Sequence, residues 1–420
     1  MSTAMLSTEQ APPITVPLRF FAMAPLFLLL AAAILATGNS FTDAPLLLAV
    51  THCLTLGFIT MVMAGAMQQI LPVVIGSPMP ASKSIAWLTL LPMSTGTLSL
   101  AGGFLYSNPA LLYAACLILG FGFLIFISAC LIAIYRAAAR TSTQFALLLA
   151  ILTLTITATL GIILANGYAS GTALDYSKLT AAHISMGLGG WVILLIAGVS
   201  YQVVPMFQLT PNYPGWFSSG FAPALFVVLL LGLVARWWDV ISLGYLSAGL
   251  FWMLAVSFAI ITLRLQSQRR RRVADATLSF FRLGMSSLLC VALLSTLALY
   301  PPLQEDLTTL SVVIFITGFA LSVIFGMLYK IVPFLVWFHL FRGGVKKGVP
   351  NMKSIIPEVW MWRHVQLHRA TLLAILTASI WNPARWLAIT GLALQSILLS
   401  YALFTAITIY QRTLKNLTNA

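Results

Sequence analysis

One pattern recurs three times in this chain: a glycine followed by an aromatic residue, a second glycine eight positions on, Gln or Lys four after that, and Pro three further. The copies are Gly57-Phe58 … Gly65 … Gln69 … Pro72, Gly190-Trp191 … Gly198 … Gln202 … Pro205 and Gly318-Phe319 … Gly326 … Lys330 … Pro333. They occupy 57–72, 190–205 and 318–333, start 133 and 128 residues apart, and each closes a long apolar run. A repeat of that period inside apolar runs makes the chain a triplicated membrane bundle.

The runs set the solvent. Stretches approaching the roughly 20 residues needed to cross a hydrocarbon core fall at about 17–37, 44–70, 85–106, 109–134, 144–167, 179–205, 219–236, 242–264, 279–300, 308–334, 371–384 and 386–410. With 60% apolar and 7% charged residues, a soluble globule of this length is excluded. The expected fold is an all-α integral membrane protein, a twelve-helix bundle over 17–411, with a polar leader 1–16 and a tail 412–420. Pro383 and Arg385 interrupt the last apolar stretch and alone separate its eleventh and twelfth segments. Because the boxes fall on the second, sixth and tenth segments, they share one direction and imply pseudo-threefold symmetry. Paired glycines permit close helix contact. Gln or Lys followed by Pro is expected to close each box helix, so the box reads equally well as a packing and helix-ending device.

Charge gives an independent topology. With both termini in the cytoplasm, eighteen of the twenty-two Lys and Arg lie on the inner side, and Asp43, Asp175, Asp239, Glu305 and Asp306 lie in outer loops. The net charge of +14 is thus a topology signal, and a nucleic-acid role is not expected despite Arg269 to Arg272. The first apolar segment reads as a retained anchor. Cys53, Cys116, Cys130 and Cys290 lack metal-site spacing and read as packing residues.

Of five histidines, His52 and His183 lie in the outer third of the second and sixth segments. An imidazole there is costly unless it meets a metal, a porphyrin, a carbonyl or a nearby hydroxyl of Thr51, Thr55 or Ser185. His364 and His368, spaced to share one helix face, would chelate a divalent metal or lie on a surface amphipathic segment of a cytoplasmic loop spanning 341–369. His339 reads as part of an interfacial aromatic belt. Gln69, Gln202 and Lys330 would line a polar pathway or pack, with Lys330 turned inward or snorkelling to the interface.

Twelve helices, pseudo-threefold repetition, His52, and Ala182-His183 … Gly190-Trp191-Val192 followed by Gly198 and Pro205 resemble the catalytic subunit of heme-copper oxidases and nitric oxide reductases. That resemblance implies a low-spin heme on His52 and copper, or a second cofactor, on His183. The chain departs from the superfamily at the tenth segment, where Val313 stands in the histidine register, and at the seventh, where 219–236 offers no ligand. A complete heme-copper centre, oxygen reduction and proton pumping are therefore not expected. What remains resembles a reduced relative of NnrS type from a bacterial inner membrane: one heme b on His52, Met61, Met63 and Met67 nearby, copper as a second candidate, and respiratory or electron-donor subunits as partners. The other readings are a small-molecule or anion transporter and a cofactor-free subunit of a respiratory complex.

Overall fold

The structure is a computed structural model that describes residues 10–38, 43–137, 140–273, 275–342 and 349–418. Among them run twelve long helices: α1 Thr15–Thr37, α2 Ala44–Ile75, α3 Ser82–Leu105, α4 Pro109–Arg136, α5 Ser142–Ser170, α6 Tyr176–Gln208, α7 Gly215–Trp237, α8 Ile241–Ser267, α9 Ala276–Leu297, α10 Pro301–Phe341, α11 Glu358–Ala378 and α12 Arg385–Thr418. No strand occurs among the described residues. Ten of these helices, and the stretch Asn382–Asn416 that holds most of α12, are long and apolar enough to cross a membrane. Exposed aromatic residues mark the water boundary where α3, α7, α9 and α11 end, at Tyr106, Trp237, Trp238, Tyr300 and Trp381.

The exception, α11, corrects the sequence reading. Its first half, Glu358 to Arg369, was expected on the surface as part of the 341–369 loop. The structure instead runs one helix through it, with Met361, His364, Val365 and His368 buried. Residues 343–348 of that loop, including Lys346 and Lys347, lie outside the described residues. Twenty-one residues extend about 31 Å at roughly 1.5 Å each, enough to match a hydrocarbon core. Ser322 meets His368 and Tyr329 meets His364, so α11 runs antiparallel to α10; Thr371 meets Gln395 and Trp360 meets Tyr401, so it also runs antiparallel to α12. The predicted break at Pro383 is real but short, a single 3-10 turn over Asn382–Ala384.

The chain forms two compact units. One takes the described residues of Ala66–Arg272 with Leu288–Leu293, and the other those of Pro13–Gly65, Val273–Ser287 and Leu294–Ala420. In the first, Gly96 and Gly103 of α3 abut Leu119 and Leu112 of α4. In the second, α12 packs along α1 and α11, and the Ser396 hydroxyl donates to the Pro25 carbonyl.

Each box carries a feature that composition conceals. Helix α2 turns to π geometry over Cys53–Thr60, α6 over Ser185–Val192 and α10 over Phe315–Leu321, so the first glycine of every box sits inside a π segment. Both glycines of every box then face the preceding helix. Gly57 and Gly65 meet Phe27 and Phe20 of α1; Gly190 and Gly198 meet Thr153 and Ala146 of α5; Gly318 and Gly326 meet Ser287 and Phe280 of α9. The partner residues are seven apart in each case, two α turns, whereas the glycines are eight apart. A π turn holds about one residue more than an α turn, and that extra residue brings both glycines onto one face.

Two expectations fail here. Proline does not end the box helices, since each runs beyond Pro72, Pro205 or Pro333, the last for another eight residues to Phe341. Among the cysteines, Cys53 and Cys130 are buried as expected for packing, but Cys290 is exposed.

A Cβ on Gly326 would stand 2.9 Å from both the Phe280 Cβ and the Thr277 carbonyl, whereas nothing lies within 4 Å of one on Gly220. Gly326→Val should therefore destabilise the protein by about 1–3 kcal/mol through overpacking, while Gly220→Ala, relieved of helical glycine, should be neutral or gain up to about 1 kcal/mol. Thermal unfolding in detergent checks this; equal midpoints for the two variants would refute the contact.

Candidate functional site

His52 ends the α-helical opening of α2, immediately before its π segment. Its ring is half-buried, and Nδ1 lies 2.7 Å from the Leu48 carbonyl one turn back. A carbonyl only accepts, so Nδ1 carries a proton. His183 sits two residues before the π segment of α6, and its Nδ1 bonds across to α5, at the Thr157 carbonyl 3.0 Å away. Gly161, one turn further along α5, makes room for the ring: a Cβ there would stand 3.0 Å from the imidazole Cε1.

Among the partners considered from sequence, both rings thus take a main-chain carbonyl through Nδ1. The hydroxyls of Thr55 and Ser185 return to their own helices, at Thr51 and Ala181. Anchoring Nδ1 on a carbonyl fixes ring orientation and directs Nε2 chemistry, the usual support of a ligating histidine. The donor set suits axial ligation of an iron porphyrin. It does not suit a multi-histidine copper centre, because no group of three or more His, Cys, Asp or Glu side chains that could hold a metal occurs among the described residues.

The polar ends of the boxes diverge. Lys330 neither snorkels nor stays unpaired: its ammonium is 3.0 Å from Asp275 Oδ2. Asp275 also caps α9, accepting from the backbone N–H of Thr277 and Leu278 and from the Thr277 hydroxyl. Burial pushes the Asp275 carboxyl up, but the Thr277 bonds and the Lys330 charge outweigh it and hold the group below the ordinary carboxylate range. In the middle copy the same register, five residues before the α5 contact of Gly198, is held by Thr141, the uncharged cap of α5. Gln202 is half-buried there, and Gln69 is buried with no partner for Oε1 among the described residues.

Sequence reading passed over the residue just before each of these. Gln68, Tyr201 and Tyr329 fill one box column, three after the second glycine, and all are buried. The repeated polar residue in an apolar helix was the available signal. Both amide atoms of Gln68 and the hydroxyl of Tyr201 lack hydrogen-bond partners among the described residues.

Tyr329 leads to the second cluster. Its hydroxyl lies 2.8 Å from His364 Nδ1. One turn along α11, His368 Nδ1 donates to Gln395 Oε1 at 2.6 Å and Nε2 accepts from the Ser322 hydroxyl at 2.8 Å; the Gln395 amide donates to Thr371 and to the Gly391 carbonyl. The pair expected to chelate a metal, or to lie on a surface, is instead built into the contact between α10, α11 and α12. Both His368 nitrogens are occupied, so chelation by the pair is not available in this arrangement. His339 bonds the Leu335 carbonyl of its own helix.

In comparison with known proteins, no family model and no curated sequence matches the chain.

The Asp275 shift has a sign. A carboxyl held below its unfolded value contributes stability that is present above the ordinary carboxylate range and is lost as pH falls through the lowered value. Asp275→Asn should lower the thermal midpoint at neutral pH, by about 1 kcal/mol or more for this partly buried pair. The difference from wild type should shrink on acidification. Asp275→Asn combined with Lys330→Met should be less damaging than the sum of the single changes; strict additivity in a double-mutant cycle would mean the pair is not coupled.

Proposed function

We propose that this chain is a heme-binding integral membrane protein of a bacterial inner membrane, with His52 as an axial ligand and His183 as a second imidazole directed at a cofactor. The observation that carries this reading is the anchoring of both membrane-embedded rings by Nδ1 on main-chain carbonyls, each at the edge of a π segment. π segments within α-helices recur at functional sites because they turn side chains out of the regular helical register. A bound heme would supply one-electron chemistry and, with a single protein ligand, a position for a small gas. The chain's own part is to orient the imidazoles, through the carbonyls of Leu48 and Thr157. Met61, Met63 and Met67, all buried on α2, supply an apolar, polarisable wall.

On this reading the three helix pairs α1/α2, α5/α6 and α9/α10 are quasi-equivalent sectors of a fold like that of heme-copper oxidase subunit I, with both termini on the inner side. The third sector, without a histidine in the register of His52, holds no heme ligand. Electron-donor or respiratory subunits would complete the chain's role. An anion transporter is less well supported, since the intramembrane cation it would use, Lys330, is neutralised by Asp275.

A dithionite-reduced-minus-oxidised absorption spectrum of the detergent-purified protein tests this. A Soret band and a pyridine hemochrome of b type are expected; His52→Ala should lose at least about tenfold of the heme, a loss on the scale that removing a direct ligand exceeds and an outer-shell change reaches. Gly161→Ala, by crowding the His183 ring, should shift the band positions with the fold intact. A colourless preparation reconstituted with hemin without spectral change would refute the reading.

A further inference from the structure

The cluster on α11 is unused by the reading above, and it lies buried inside the second unit. At His368 it is closed: every polar atom of that ring and of Gln395 has a partner. At His364 it is open. The ring is fully buried, Nδ1 meets Tyr329, and Nε2 has no hydrogen-bond partner among the described residues. A purely structural polar contact in the membrane would be expected to close, because an unmade hydrogen bond in a buried site is costly.

Around the open ring stand three aromatic side chains. Ring centroids of Phe325, Phe280 and Tyr329 lie 4.6, 5.2 and 5.6 Å from that of His364. These distances are within the reach at which an aromatic face stabilises a cation. A cage of this kind reduces the cost of a positive charge on the imidazole once some nearby negative charge calls for it. Phe325 also touches Phe58, at 5.5 Å, on the helix that carries His52; Phe58 follows His52 by six residues, about 9 Å along the axis. A continuous aromatic contact therefore joins the candidate heme helix to the open imidazole.

We propose that His364 is a redox-linked proton site: when one electron enters the cofactor on His52 from a one-electron donor, one proton from the inner aqueous side binds the His364 imidazole and balances the charge. No covalent bond other than the N–H forms, and reoxidation releases the same proton. Tyr329 is a positioning residue, holding the ring by Nδ1. The Lys330–Asp275 pair lies next along α10. The other groups on the surrounding helices are accounted for. His368 is the nearest titratable neighbour and is closed by its bonds; Arg282 on α9 and Glu358, Arg363 and Arg369 on α11 are exposed; α12 brings no charged side chain between Arg385 and Arg412.

This inference rests on the heme reading, and one titration separates the two. The midpoint potential of the purified protein is measured spectroscopically from about pH 5 to pH 8, the range in which imidazoles commonly act. The wild type should fall by up to about 59 mV for each tenfold drop in proton concentration over part of that range, the one-proton, one-electron slope. His364→Gln should flatten the slope while keeping the spectrum, and Tyr329→Phe should change the slope without removing heme. If His364→Gln does not fold, Tyr329→Phe and Phe325→Leu carry the test, since both disturb the cage from outside the imidazole. A chromophore whose potential is pH-independent in wild type, or whose slope is the same in all variants, overturns the proton site and leaves the heme reading standing. Absence of any chromophore overturns both.

Discussion

Close contact between each box helix and the helix before it is the constraint on which the rest of this protein depends. In a hydrocarbon solvent, burying apolar surface gives little drive for helices to associate, so packing must come from backbones that approach closely. Two glycines per box supply that approach, at Phe20 and Phe27, at Ala146 and Thr153, and at Phe280 and Ser287. Once those contacts are set, the rotation of α2, α6 and α10 about their axes is set too. Rotation decides which side chains reach an interior and which reach lipid.

The π segments are the device that reconciles glycine spacing with helix geometry, and they have a second effect. By adding a residue to one turn, each shifts the upper part of its helix relative to the lower part. His52 and His183 lie above that shift, while Gln68, Gln69, Tyr201 and Gln202 lie below it. The two groups of side chains therefore answer to different registers, one chosen by the N-terminal half of the helix and one by the glycines. That separation lets one helix orient its N-terminal side chains independently of its glycine contacts.

Differences among the three modules follow from what caps the preceding helix. Asp275 is an acidic cap, and it draws Lys330 into an ion pair that also fixes the start of α9. Thr141 caps α5 without charge, and the corresponding box residue is the neutral Gln202. The third module uses its polar residues differently from the other two: no histidine in the N-terminal half of its box helix, but Tyr329 and Ser322 facing an imidazole pair brought by α11. Triplication supplied a common frame, and each copy then took a separate polar task within it.

Sequence alone determined the membrane class, the twelve segments to within a few residues for most of them, and the threefold recurrence, because apolar length and glycine spacing are local properties that lipid reads directly. It also marked His52 and His183 as needing partners. It did not place α11, whose Arg363, His364, Gln366, His368 and Arg369 make it look like a surface segment. Only tertiary structure shows that its polar face meets Ser322, Tyr329 and Gln395, residues 27 to 46 positions away in sequence, which together satisfy what no single helix could. The π turns were likewise invisible, since uniformly apolar residues carry no periodic signal of helix rotation. Rotation, and with it the identity of the buried polar atoms, is decided by neighbouring helices.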